Sequence, residues 1–96
     1  MKVKFLTPAW IELREGSEYY EREQSGLGNR FWKEVDQHIQ WISLNAEVPR
    51  LREGHYRRVN LKVFPFYIAY IARDEVILIV AIANSFREPL YWQKKR

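Results

Sequence analysis

The 96-residue sequence contains no cysteine, one methionine and two histidines. The absence of cysteine excludes a disulfide framework and a thiolate-bound metal, and it fits a cytoplasmic protein. His38 and His55 are far apart and belong to no metal-ligand spacing, so we predict neither a metal site nor a cofactor. The apolar runs are too short to cross a bilayer, and the first residues lack the apolar core of a signal peptide. We therefore expect a cytoplasmic protein with no membrane partner.

Hydrophobic residues make up 47% of the chain and charged residues 29%, which is typical of a single globular domain over residues 1–96. The charge is unevenly distributed. Residues 1–48 carry 6 Lys and Arg against 8 Asp and Glu, whereas residues 49–96 carry 10 against 4. A basic second half indicates an acidic partner, either nucleic acid or an acidic protein segment; a solvated basic surface is the alternative.

The most apolar part of the chain lies in its second half. Two runs rich in β-branched and aromatic residues, 66–72 and 76–83, flank the polar Arg73-Asp74-Glu75, a pattern that predicts a β-hairpin. The second run is apolar on both faces, so we predict that it lies near the middle of the sheet.

The start of the chain predicts an edge strand followed by a helix. Val3 and Phe5 alternate with lysines, which is typical of a short strand with one face in the core. Thr7 is expected to cap the helix that follows, with proline at the first helical position. Gly16 lies on the apolar face of this helix and would let it approach the sheet.

A second helix is predicted after a glycine-containing turn. Gly26 is expected to end the first helix, and apolar residues at helical spacing continue the second from about Asn29. Trp32 and Trp41 lie on opposite sides of this helix, so at least one is expected at an edge or a partner surface.

A further strand is predicted before the hairpin, with Val59, Leu61 and Val63 on one face. The order is then β-α-α-β-β-β. This is an α+β fold in which a helical hairpin packs on a mostly antiparallel sheet.

Basic and aromatic side chains surround the predicted hairpin. Arginine binds phosphate or carboxylate through two hydrogen bonds, and exposed aromatic rings stack on bases, so these side chains are predicted to form a binding surface. They are Arg57, Arg58, Tyr67, Arg87, Tyr91 and Trp92. The alternative is that the arginines form surface ion pairs while Tyr91 and Trp92 pack the C-terminal segment onto the sheet.

The same residue types allow one reaction, the cleavage of RNA through its 2′-hydroxyl. That reaction needs a base, an acid and a cation to stabilise the phosphorane. The arginines supply charge, and Tyr67, Tyr91 or His55 could move protons. Neither a carboxylate–histidine pair nor a lysine cluster accompanies them.

Short motifs in a fixed order resemble the RelE/ParE superfamily, the toxins of bacterial type II toxin–antitoxin modules, often labelled plasmid stabilisation proteins. The motifs are YYE at 19–21, GLG at 26–28, YRR at 56–58, FPFYIAY at 64–70, IVAIA at 79–83, REP at 87–89 and YW at 91–92. The resemblance implies the same β-α-α-β-β-β fold and a cognate antitoxin that neutralises the toxin.

The resemblance also implies one of two targets. RelE-like members cleave mRNA in the ribosome with lysines, arginines and a tyrosine, whereas ParE-like members resemble gyrase poisons and lack that catalytic set. The positions of the RelE-type basic residues fall here on Arg58, Asn60, Tyr67 and Ser85, of which only Arg58 is cationic, and Tyr91 matches the tyrosine.

We therefore predict a ParE-like toxin that arrests growth by binding a protein target, with DNA gyrase as the expected one, and the prediction leans away from an enzyme. The first alternative is a RelE-like mRNA endonuclease acting on the ribosome, with Arg58, Arg87 and Tyr91 as its catalytic residues. The second is a non-toxic relative that still binds an antitoxin.

Overall fold

Four strands form one sheet and two long helices cover one of its faces in a computed structural model of the chain, which describes residues 1–87 and 90–94. The elements are β1 Lys2–Phe5, α1 Thr7–Glu23, α2 Leu27–Leu44, β2 Arg57–Asn60, β3 Phe66–Arg73, β4 Val76–Asn84 and α3 Tyr91–Lys94. The strand order is β1-β4-β3-β2; β1 runs parallel to β4, and the other neighbours are antiparallel. The predicted β-α-α-β-β-β order is confirmed, and the short α3 follows it.

β4 lies inside the sheet, as its apolar sequence predicts, and it contains a bulge. Ala69 pairs with Ala81 whereas Tyr70 pairs with Ile79, so Val80 is the extra residue on β4. Ile79 and Ile82 both pack toward the helices although they are three residues apart. A bulge shifts the alternation by one position, which keeps both isoleucines in the core.

The core between the helices and the sheet is built from the predicted apolar faces. α1 contributes Ala9 and Leu13 to it. The largest fully buried side chains come from α2, β3 and β4: Phe31, Val35, Ile42, Ile68, Tyr70, Ile77, Ile79 and Ile82. Burial of each large aliphatic side chain contributes about 1.5–3 kcal/mol, so this layer is the main source of stability. Along the described residues, no helix is long and apolar enough to span a membrane.

The β3–β4 connection is the predicted tight hairpin. Its two loop residues, Asp74 and Glu75, have φ of 52° and 65°. Positive φ at both positions is the geometry of a type I′ turn, which matches the twist of the flanking strands and favours Asn-Gly. Neither residue is glycine, so the turn holds two side chains in a strained backbone region.

The helical hairpin is fastened at its turn by one carboxylate. Glu21 near the end of α1 accepts hydrogen bonds from the backbone amides of Gly26 and Gly28, at 3.0 and 3.1 Å. Those amides begin α2 and have no partners within the helix, and the helix dipole favours a negative charge there. α2 therefore begins at Leu27, two residues before the predicted start. Gly26, with φ of 90°, lies in the predicted turn but is the N-cap of α2; the expectation that it ends α1 is wrong, because that helix ends at Glu23 with Gln24 as its C-cap.

Two further expectations about α1 are wrong. Thr7 is not the N-cap: the helix begins at Thr7, Leu6 occupies the cap, and no side chain caps the helix. The Leu6 amide still donates to the Ile79 carbonyl at 3.0 Å, so the chain passes from the sheet directly into the helix. Gly16 makes room for α2 rather than for the sheet, since a Cβ there would lie 2.8 Å from the Phe31 ring.

The strand predicted through Val63 ends earlier. β2 stops at Asn60, and Val63 is 64% exposed. The Glu34 carboxylate of α2 accepts hydrogen bonds from the Lys62 and Val63 amides, at 2.7 and 3.3 Å. Because a side chain occupies these amides, they do not extend the sheet.

Replacing Gly28 with alanine is expected to destabilise the protein by about 1–3 kcal/mol, because the added Cβ would lie 2.4 Å from the Ser17 carbonyl oxygen of α1. Urea denaturation followed by circular dichroism measures this change. Asn29→Ala, an exposed neighbour in the same turn of α2, is the control. Equal midpoints for the two variants would contradict the close approach of the helices at Gly28.

Replacing Asp74-Glu75 by Asn-Gly is expected to stabilise the protein by about 1 kcal/mol, because these residues adopt positive φ at lower cost. Thermal unfolding would show a higher midpoint. Glu75→Pro should lower the midpoint, because proline cannot adopt a φ of 65°. An unchanged midpoint for the Asn-Gly variant would argue against a type I′ turn.

Candidate functional site

The predicted site residues lie mainly on the sheet face that points away from α1 and α2, called here the distal face. It is formed by the small side chains Ala69, Ala81 and Ala83, together with Tyr67. Arg58 pairs with Ala69, and Asn60 pairs with Tyr67, so both residues belong to this face as predicted.

The C-terminal helix covers the centre of the distal face. Trp92 is 5% exposed, and its indole Nε1 donates to the Tyr67 hydroxyl at 3.0 Å. Its ring meets the Tyr56 ring edge-on, with centroids 4.9 Å apart. Trp92 therefore packs the C-terminal segment onto the sheet, as the alternative interpretation of the sequence expected.

Tyr91 is fastened to the opposite layer of the molecule. Its hydroxyl donates to Glu12 Oε2 of α1 at 2.5 Å, and its side chain is 8% exposed. The other oxygen of Glu12 accepts the Ile82 amide of β4 at 3.1 Å. One carboxylate thus joins α1, β4 and α3.

Two predicted arginines stack on the two predicted tyrosines. The guanidinium carbon of Arg58 lies 4.1 Å from the centre of the Tyr67 ring, and that of Arg87 lies 3.7 Å from the centre of the Tyr91 ring. Arg58 also donates to the Asn60 side chain at 3.2 Å. Cation–π contacts of this kind contribute about 0.5–2 kcal/mol and hold a guanidinium in one orientation. Positive charge is therefore fixed at two places beside α3.

Arg57 lies apart from the other predicted residues. It pairs with Tyr70, whose side chain belongs to the helix-side core. Its Nη1 donates to the carbonyls of Glu47 and Pro49, at 3.2 and 2.6 Å. Arg57 therefore fastens the loop after α2, and its neighbour Tyr70 donates to the Ala46 carbonyl of that loop at 2.8 Å. Burial raises the pKa of Tyr70, and the charge of Arg57 acts in the opposite direction.

The turn after β4 presents Arg87 together with an exposed aromatic residue. The Asn84 side chain accepts the Phe86 amide at 2.8 Å, and the Asn84 carbonyl accepts the Arg87 amide at 3.2 Å. Phe86 is 85% exposed. The rest of the predicted Arg-Glu-Pro turn, residues 88–89, lies outside the described residues.

The arrangement favours binding over proton transfer. The hydroxyl of Tyr67 accepts a buried indole donor, and that of Tyr91 contacts a carboxylate, so these two predicted proton carriers are held within the fold. The third, His55, is exposed in the loop before β2, where it lies beside Arg57. Arg58, Arg87 and Phe86 remain at the margin of α3, where charge and an aromatic ring could meet a partner. Among the described residues, no group of three histidine or acidic side chains could hold a metal ion.

Sequence reasoning missed Glu12 and Phe86. Glu12 belongs to a series of glutamates along α1, and nothing in the local pattern distinguishes the one that reaches β4 and α3. The sequence could have indicated Phe86, because it is an aromatic residue in a polar turn directly before a predicted site arginine. Such a residue has no strand or helix to bury it.

Comparison with solved structures identifies the architecture. A chain of a structure described as the chromosomal ParDE TA system from P. aeruginosa superposes with a TM-score of 0.76 at 17% sequence identity. The match covers 88% of this chain and 95% of that one. The fold is ParE-like. The resemblance seen in the sequence is thus confirmed at the level of the fold, whereas no family model and no curated protein matches the sequence.

Removing the Tyr91 hydroxyl by Tyr91→Phe is expected to destabilise the ParE-like fold by about 1–3 kcal/mol, because a hydrogen bond to a carboxylate is lost. In a double-mutant cycle with Glu12→Ala, we expect a coupling energy of about 1 kcal/mol or more. Chemical denaturation measures each corner. Glu18→Ala, at an exposed position of α1 beside Arg14, is the control and should not couple with Tyr91→Phe. Additivity at Glu12 would contradict the bridge between α1 and α3.

Proposed function

We propose that this protein is the toxin of a type II toxin–antitoxin module and that a cognate antitoxin neutralises it. It arrests growth by binding a protein target, and DNA gyrase is the first candidate. The observation that carries the proposal is the fit of nearly the whole chain to one from a ParDE toxin–antitoxin structure. The helical hairpin, the sheet and their order all correspond, so the likeness does not depend on a single motif.

The packing of α3 supports a binding role over RNA cleavage. A ribonuclease of this kind needs a proton carrier that reaches the substrate together with several cations. Tyr91 is 8% exposed and Tyr67 is 4% exposed, and both hydroxyls have partners inside the fold. The sequence also retains only Arg58 at the four positions where RelE-like members carry basic residues.

The proposed contact surface is the margin of α3, formed by the exposed Phe86 and Arg87 together with the half-buried Arg58. Exposed aromatic and arginine side chains are the residues that most often dominate the energy of protein interfaces. Stacking on Tyr67 and Tyr91 holds the two guanidinium groups in place before a partner arrives, which lowers the entropy lost on binding.

Induced expression in a bacterial host without the antitoxin is expected to stop growth, and the purified protein is expected to inhibit gyrase supercoiling at stoichiometric excess. Phe86→Ala and Arg87→Ala should each weaken both effects about tenfold or more. Val63→Ala, at an exposed apolar residue away from this margin, is the matched control. Co-expression of the adjacent gene's product should restore growth if that product is the antitoxin.

Two outcomes would overturn parts of the proposal. Growth arrest with untouched supercoiling and discrete mRNA cleavages in primer extension would replace the gyrase target with a ribosome-dependent endonuclease. Harmless expression of folded protein, verified by its circular dichroism, would leave a non-toxic antitoxin-binding relative.

A further inference from the structure

An apolar groove runs along the free edge of the sheet, outside the proposed target surface. It has a volume of about 310 Å³ and lies between β1 and the two long helices. Its aromatic wall is Phe5, Trp10 and Trp32, whose rings meet edge-on in a chain with centroids 5.7 and 5.4 Å apart. Trp10 is 44% exposed and Trp32 is 37% exposed. Exposed tryptophans in contact with each other are typical of a protein interaction surface.

The backbone beside this groove is available for pairing. β1 is the last strand on its side of the sheet, in the part of the chain that the structure describes. The amide of Lys2 donates to the Glu75 carbonyl just before β4, at 2.9 Å, and that of Leu6 donates to the Ile79 carbonyl of β4, at 3.0 Å. Backbone groups alternate along a parallel strand, so the N–H and C=O groups of Val3 and Phe5 point away from the sheet. They form a template for one more strand.

The charges beside the edge limit what can occupy it. Val3 and Phe5 turn their side chains toward the groove, whereas Lys2 and Lys4 are exposed on the opposite face. Two copies of this chain paired edge to edge would bring these lysines together, which is unfavourable. Asp36 also lines the groove, so an acidic side chain would be repelled from that face.

We propose that the free edge of β1 binds an extended segment of a partner protein in which apolar and acidic side chains alternate. The apolar side chains enter the groove beside Trp10 and Trp32, and the acidic ones lie next to Lys2 and Lys4. Main-chain hydrogen bonds to Val3 and Phe5 supply affinity that does not depend on the partner's sequence, and the groove and lysines supply the selectivity. This surface stands whether or not the protein is a toxin.

Binding of a nine-residue synthetic peptide that alternates glutamate with leucine and phenylalanine tests the proposal. Fluorescence anisotropy of the labelled peptide is expected to show saturable binding, weakened about tenfold or more by Trp10→Ala and by Trp32→Ala. Trp41→Ala is the matched control, because Trp41 is equally exposed but lies at another groove, beside His38 and Val59. A scrambled peptide of the same composition should bind more weakly.

The contribution of charge is tested by reversal. In the variant with Lys2→Glu and Lys4→Glu, binding should weaken several-fold, and a peptide with lysine in place of glutamate should now bind better than the original. The double variant Arg22→Glu and Arg30→Glu, at exposed positions on the helical hairpin, gives the same change in net charge and is the control. If the variant still preferred the glutamate peptide, the result would contradict the proposed contact between acidic side chains and the two lysines.

Hydrogen exchange distinguishes strand pairing from simple burial of the groove. On adding the peptide, the amides of Val3 and Phe5 should become protected, while those of Lys2 and Lys4, which already face β4, should change little. Peptide binding without protection of Val3 and Phe5 would contradict pairing at this edge. Concentration-dependent dimers of the protein alone, abolished by Val3→Pro, would overturn the proposal in favour of a second copy, and absence of peptide binding would overturn it outright.

Discussion

The two apolar faces of β4 are the constraint on which the rest of the structure depends. A strand that is apolar on one face needs one covering layer, whereas β4 exposes apolar surface to water unless both faces are covered. The helical hairpin covers Ile77, Ile79 and Ile82 on one side. On the other side the C-terminal segment supplies the cover, and Trp92 packs there with Tyr56. The position of α3, and with it the positions of Tyr91 and Trp92, follows from this requirement.

Glu12 connects these two covering layers. A carboxylate on α1 reaches past the end of β1, where β4 has lost its parallel neighbour, and accepts the free Ile82 amide. The same carboxylate accepts the Tyr91 hydroxyl. A buried backbone amide without a partner costs free energy, so Glu12 both completes the sheet and ties the C-terminal helix to the opposite layer. A tyrosine that could have served as a proton carrier is thereby held as a structural link.

The elements that the sequence predicted are those set by neighbouring residues. The two helices, the hairpin and the internal position of β4 follow from periodicity, from glycine at the helical turn and from an apolar run. The errors arose from contacts between residues distant in sequence. Glu34 ends β2 from 28 residues away, and Gly16 accommodates Phe31 of the other helix. Arg57 follows the same rule, since the carbonyls that it binds belong to a loop whose path no local pattern determines.

The alanines of the distal face set how closely α3 approaches the sheet. Ala69, Ala81 and Ala83 present single methyl groups where Trp92 and Tyr91 pack. Larger side chains at these positions would increase the distance between the C-terminal segment and the sheet, whereas the methyl groups let Trp92 pack directly against the strands. Three small residues on two adjacent strands therefore leave the room in which the C-terminal segment turns the distal face of this chain into a closed layer.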